Sequence, residues 1–154
     1  FMNMNQVIET WEINNKINLY LLNSIDEAHL PSISASKGRT VAEHFAHMHN
    51  VRLMWLKEAM PELLSTVVKI EKEGISKKNL LDQFERSGVA ISRMMERALQ
   101  EGKLKGFKPH PTAFLGYIIS HESHHRGQIV LCLKQSGHPV EKKVLFGLWE
   151  WGTK

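Results

Sequence analysis

Apolar positions along this chain recur at three- and four-residue intervals rather than in alternation, a pattern that predicts helices and no strands. Val7, Trp11, Leu21, Leu22 and Ile25 mark one side of a first amphipathic helix over residues 4–27. Asn14 and Asn18 fall in the same stripe. A core-facing amide must find hydrogen-bond partners, so the pair either bonds to loop backbone or solvent at a helix end or lines a polar pocket. Pro31, Ser32, Ser34, Ser36 and Gly38 make a loop, and Thr40-Val41-Ala42-Glu43 is a capping box opening a second helix that runs to Ala59, ahead of Pro61. A looser segment, 61–75, leads to a third helix over 77–100, with Leu80, Phe84, Ile91, Met95 and Ala98 on one stripe. Gly102 and Gly106 end it, Pro109 and Pro111 precede a fourth helix over 112–135, and Gly137 with Pro139 stops that one. The tail from Leu145 to Trp151 is short and very apolar, and is expected to pack against the body. Four long amphipathic helices without a repeat or linker imply an all-α antiparallel four-helix bundle, one domain over residues 2–154. Phe1, which precedes Met2, is set aside as an appended residue.

Composition narrows the setting. A chain of 154 residues, 42% hydrophobic and 23% charged, is ordinary for a soluble globular domain with a real core. No run of eighteen apolar residues and no signal-peptide pattern is present, so neither a membrane span nor secretion is expected. The one cysteine rules out an intrachain disulfide framework and suits a reducing, cytoplasmic location. The net charge of +4 and pI near 9.2 raise the question of nucleic acid. Lys69, Lys72, Lys77, Lys78, Lys103, Lys105, Lys108, Lys142 and Lys143 are scattered, however, and no basic helix face forms, so a nucleic-acid partner is not expected.

The chemistry concentrates in His121-Glu122-Ser123-His124-His125-Arg126-Gly127-Gln128. His121 and His125 lie four apart, about 40° from each other on a helix and roughly 6 Å along its axis. They share an arc with Phe114, Ile118, Ile129 and Cys132, so the pair sits within the buried face. Two imidazoles in an apolar stripe are costly to bury unless each finds a partner, and one divalent cation would serve both. Cys132 is about 10 Å further along the helix, too far to join the same ion, and reads as core. A third ligand must come from elsewhere. The second helix offers His44 and His47 on a shared face, with His49 turned away; periodicity leans to His44, which lies nearer the stripe of Val41, Met48 and Trp55.

Taken together, Thr40-Val41 through His47, then His121-x-x-x-His125-Arg126-Gly127-Gln128, then Gly147-Leu148-Trp149-Glu150-Trp151, resemble the DinB/YfiT-like superfamily of helical-bundle metalloproteins over nearly the whole chain. The resemblance implies His47, His121 and His125 as metal ligands, with His44 the fallback. It also implies a zinc- or nickel-type site with open positions, and a homodimer. Members with assigned activities include S-transferases and isomerases that use low-molecular-weight thiols, and others are described as metal-dependent hydrolases.

Residues 121–125 also spell H-E-x-x-H, the zincin motif in which the glutamate is general base. Gly127 and His138 fall off the extended metzincin spacing, no strand is available to hold a peptide, and a good third ligand exists upstream; a protease is therefore the weaker reading. Glu122 reads by default as a surface or packing residue, Arg126 as an anion-orienting or interface residue or a plain salt bridge, and Gly127 as a point of close helix approach. Three neutral ligands leave the full dipositive charge on the ion, which lowers the pKa of bound water towards ~7 or holds a thiol as thiolate. The expected function is a metal-dependent hydrolase or thiol S-transferase acting on a small molecule. The alternative is a metal- or ligand-binding bundle that does not catalyse.

Overall fold

Capping residues mark where each helix begins. Asn3 accepts from the Gln6 amide, Thr40 and Glu43 form the expected reciprocal box, Ser76 accepts from the Asn79 amide, and His110 Nδ1 accepts from the Ala113 amide ahead of Pro111. These open α1 (Met4–Asn23), α2 (Val41–Ala59), α3 (Lys77–Glu101) and α4 (Pro111–Gln135), with a short α5 (Lys142–Gly147) in the tail. The structure, a computed structural model, describes residues 3–154, so Phe1 and Met2 lie outside the described residues. Gly102 ends α3 at φ 73°, a left-handed conformation that glycine adopts without strain.

The first helix stops short of the expected residue 27. Ser24 Oγ bonds back to the Leu21 carbonyl at 2.6 Å, and Asp26 caps a separate 3₁₀ turn over Glu27–His29. Ile25 remains in the core from the loop, which is why the apolar stripe outruns the helix.

Two apolar clusters fill the bundle. One joins the C-terminal end of α1 (Leu21, Leu22), the N-terminal ends of α2 (Val41, Phe45) and α3 (Leu80, Phe84), and the C-terminal end of α4 (Ile129, Leu133). The other joins Trp11, Leu56, Met94, Met95, Phe114 and Ile118 at the opposite end. Hence α1 and α4 run one way and α2 and α3 the other. Antiparallel packing holds within the pairs α1/α3 and α2/α4, while α2 and α3 are parallel. The segment between them, with 3₁₀ turns at Pro61–Thr66 and Lys72–Gly74, returns the chain along the bundle. Its seventeen residues, 60–76, can reach more than ~50 Å, well beyond the ~28 Å length of α2.

At one α1–α3 crossing a Cβ on Gly88 would collide with the Asn15 side chain, and Trp11 Nε1 donates to the Gly88 carbonyl at 2.9 Å. The tail seats on the bundle through Leu148 and through Gly147, which lies against the Tyr20 ring. Phe146 of α5 and Trp149 and Trp151 in the turns beyond it are exposed. No helix among the described residues is long and apolar enough to cross a membrane.

Candidate metal centre

A polar layer separates the two apolar clusters and fixes α4. Glu122 is fully buried, and its two oxygens accept four hydrogen bonds. Arg52 Nε and Nη2 donate at 2.7 and 2.8 Å, Asn14 Nδ2 at 2.9 Å and Asn18 Nδ2 at 2.8 Å. Arg52, also fully buried, lies between the rings of Trp11 and Phe84, 4.7 and 4.6 Å from their centroids, and donates to Ser87 Oγ at 3.0 Å. Arg126 Nη1 donates to the oxygens of Asn14 and Asn18 at 2.9 and 2.7 Å. Each asparagine thus gives its nitrogen to Glu122 and its oxygen to Arg126.

Several expectations are corrected here. Of the two default readings of Glu122, packing holds and surface does not: the Arg52 guanidinium from the facing helix compensates its buried charge. Arg126 makes no salt bridge among the described residues; its Nη1 is taken by the two asparagine oxygens. Asn14 and Asn18 form an internal network rather than a pocket lining or a frayed end. Gly127 has open space around it, so helix approach does not explain it. Arg52 and Ser87 were not singled out from sequence; an arginine in the apolar sector of α2 was the available signal. His49, turned from the cluster as expected, joins the layer instead, facing Ser87 Oγ at 3.0 Å and the Val68 carbonyl at 2.8 Å.

With α4 locked in rotation and height, the neighbouring row points at α2. His121 Nε2 lies 3.3 Å from His47 Nε2, and the His125 ring centroid is 4.7 Å from that of His47 and 4.6 Å from that of His121. One ring nitrogen from each of the three falls within 4.8 Å of the others. Zinc–nitrogen bonds of about 2.0–2.1 Å at tetrahedral angles require nitrogens roughly 3.3–3.4 Å apart, so the closest pair already has the spacing of two ligands of one ion. His121 Nδ1 is buried without a hydrogen-bond partner, leaving Nε2, facing His47, as the polar contact of that ring. His44 lies outside this trio and faces His125, Nδ1 to Nδ1, at 3.0 Å. His124 is exposed, its ring 5.0 Å from that of His125. Cys132 is core, as expected, and burial pushes its thiol up.

Burial keeps these imidazoles uncharged, as cation ligation demands. Desolvation, with crowding by His121, His47 and His44, holds His125 down at about 3. Burial and then the Arg39 charge bring His44 to about 4. Both His47 and His121 are lowered, first by burial. Arg39 Nη2 stands 3.5 Å from His47 Nδ1 at the exposed edge. The arrangement offers three neutral nitrogen donors and no carboxylate, a set suited to zinc, nickel or a similar divalent transition metal.

Comparisons with known proteins agree with this architecture. A search of curated proteins gave no match. A crystal structure of a DinB-like protein from Bacillus cereus superposes with a TM-score of 0.62 at 19% identity, covering 88% of this chain and 93% of that one. The family model described as the DinB family matches residues 1–145. With its helical bundle and its paired histidine segments, the chain belongs to the DinB family.

Proposed function

We propose that this protein is a divalent-metal-dependent enzyme acting on a small molecule, with His47, His121 and His125 as metal ligands and coordination positions left open. The observation that carries the reading is the 3.3 Å approach of His47 Nε2 to His121 Nε2, with a His125 nitrogen in the same cluster. A bound cation there would supply Lewis acidity and lower the pKa of a coordinated water or thiol. The chain's own residues do the rest. The imidazoles stay neutral through burial, and the Glu122 layer holds two of them in register. Arg39, at the rim, offers a guanidinium to an anionic substrate group.

Within this reading, transfer of a low-molecular-weight thiol is favoured over hydrolysis of the zincin kind. The carboxylate that an H-E-x-x-H protease uses as base is here consumed by four hydrogen bonds in the core. His124, exposed beside His125, is the group left to carry a proton. A cytoplasmic homodimer belongs to the same proposal.

The test is metal analysis of protein purified without an affinity tag, beside its His125→Ala variant, followed by thiol-conjugation and ester-hydrolysis assays of the zinc- and nickel-loaded forms. About one transition-metal ion per chain in the parent and none in the variant, with thiol-dependent turnover, is the expected result. Equal metal content in the two proteins would refute the site. Binding of metal without turnover of any substrate in the panel would make the protein a metal-binding bundle.

A further inference from the structure

The three imidazoles of the cluster differ in what meets Nδ1 of each ring. His121 Nδ1 is buried with no partner, and His47 Nδ1 faces the Arg39 guanidinium, a group that can only donate. His125 Nδ1 faces His44 Nδ1 at 3.0 Å, and both residues are buried. An imidazole nitrogen can donate or accept according to tautomer, so the His44–His125 contact has two settings. If His44 donates, the His125 proton resides on Nε2 and that nitrogen has no lone pair for a cation. If His125 donates, its Nε2 lone pair is free.

We propose that His125 ligates through Nε2 and that His44 is a positioning residue that accepts the His125 Nδ1 proton, holding that ring in the tautomer and orientation able to ligate. The inference rests on the metal site proposed above and adds a residue that does not itself touch the ion. Metal-bound histidines generally give their second N–H to a carboxylate or carbonyl, and loss of that acceptor weakens binding by about 10–100-fold. Here the carboxylate nearest in sequence, Glu122, is committed to Arg52, Asn14 and Asn18, and a second imidazole takes its place. One turn of α2 supplies both parts: His47 reaches the cluster directly, and His44, three residues earlier, backs His125.

The experiment compares His44→Leu, which fills the space without an acceptor, with His44→Gln, whose amide oxygen can accept. Zinc dissociation constants come from competition with a chromophoric chelator, and ligand number from the visible spectrum of the cobalt(II) forms. The expected result is zinc affinity reduced at least tenfold in His44→Leu and within a few-fold of the parent in His44→Gln. Both cobalt(II) spectra should keep the parent's band pattern. Undiminished affinity in His44→Leu overturns the inference, as does a cobalt(II) spectrum showing one nitrogen ligand fewer, which would make His44 a ligand. If His44→Leu does not fold, the glutamine variant decides alone: a tenfold loss there overturns the role. Failure of the parent to bind zinc at all would instead refute the site on which the inference is built.

Discussion

Along α4, Glu122 and Arg126 form one row of side chains and His121 and His125 the row beside it. The first row turns into the bundle, where every Glu122 oxygen is matched by donors from α1 and α2. The second turns towards α2, where His121 Nε2 lies 3.3 Å from His47 Nε2, His125 Nδ1 lies 3.0 Å from His44 Nδ1, and His121 Nδ1 has no partner. One helical segment thus presents a closed polar network and an open one. A closed network stabilises and orients, whereas an open one is available to a ligand. The comparison teaches that the charged residues of this motif need not be the chemical ones: Glu122 and Arg126 aim the histidines.

The largest effect should come from breaking the closed row. Glu122→Ala leaves Arg52 buried and unpaired, and removal of one partner of such a pair costs about 3–5 kcal/mol. Urea denaturation should show that loss, and zinc binding should weaken as well, because the histidines lose the layer that holds them in register. If the alanine variant were as stable as the parent, the carboxylate would not be the keystone described here.

Removing a member of the open row should do the opposite. For His125→Ala, the melting temperature of the metal-free protein is expected to change little. The parent should gain about 2.7 kcal/mol from zinc at a hundredfold excess over its dissociation constant, and the variant should gain none. Thermal melts with and without zinc, beside a chelator control, check this. A large loss of apo stability in His125→Ala would erase the distinction between the rows.

Acid should act through the buried neutral imidazoles of the open row and of α2. His125 is held near 3, and His44 and His49 near 4, against an ordinary value of 6.5. Between pH ~6.5 and ~4 the unfolded chain therefore binds protons that the folded chain refuses. The stability of the metal-free protein must fall as pH drops through that window, and no such loss should occur above it. Urea midpoints at pH 7.5, 6 and 5 test the sign, with His125→Ala showing a shallower decline.

The four long helices, most of their boundaries and the two histidine segments were legible because each depends on local pattern: periodicity, the Thr40–Glu43 box, and glycines past helix ends. What pattern could not carry was partnership across the bundle. Nothing within α1 says what Asn14 and Asn18 bond to, because their partners, Glu122 and Arg126, lie more than a hundred residues away. For the same reason α4 periodicity located His125 but not Glu122, whose burial depends on Arg52 arriving from α2. His44 and His47 posed the same difficulty. Both face α4, and only the axial offset of the two helices decides which ring meets His121 and which lies behind His125.

The smallest predicted effect probes the rim. Arg39 lies 3.5 Å from His47 Nδ1, and its charge contributes to lowering both His47 and His44. A cation on His47 Nε2 leaves the proton of the neutral ring on Nδ1, where a guanidinium that only donates has nothing to accept it. The same guanidinium repels a dication through solvent. Arg39→Ala should therefore tighten zinc binding by a few-fold, the scale of one exposed charge interaction of less than ~1 kcal/mol. High salt should shrink the difference, because exposed charges are screened beyond roughly 8–10 Å. Chelator competition at low and high ionic strength reads both changes. Weaker zinc binding in Arg39→Ala would mean that the guanidinium supports His47, and that the open row is braced on its solvent side as well.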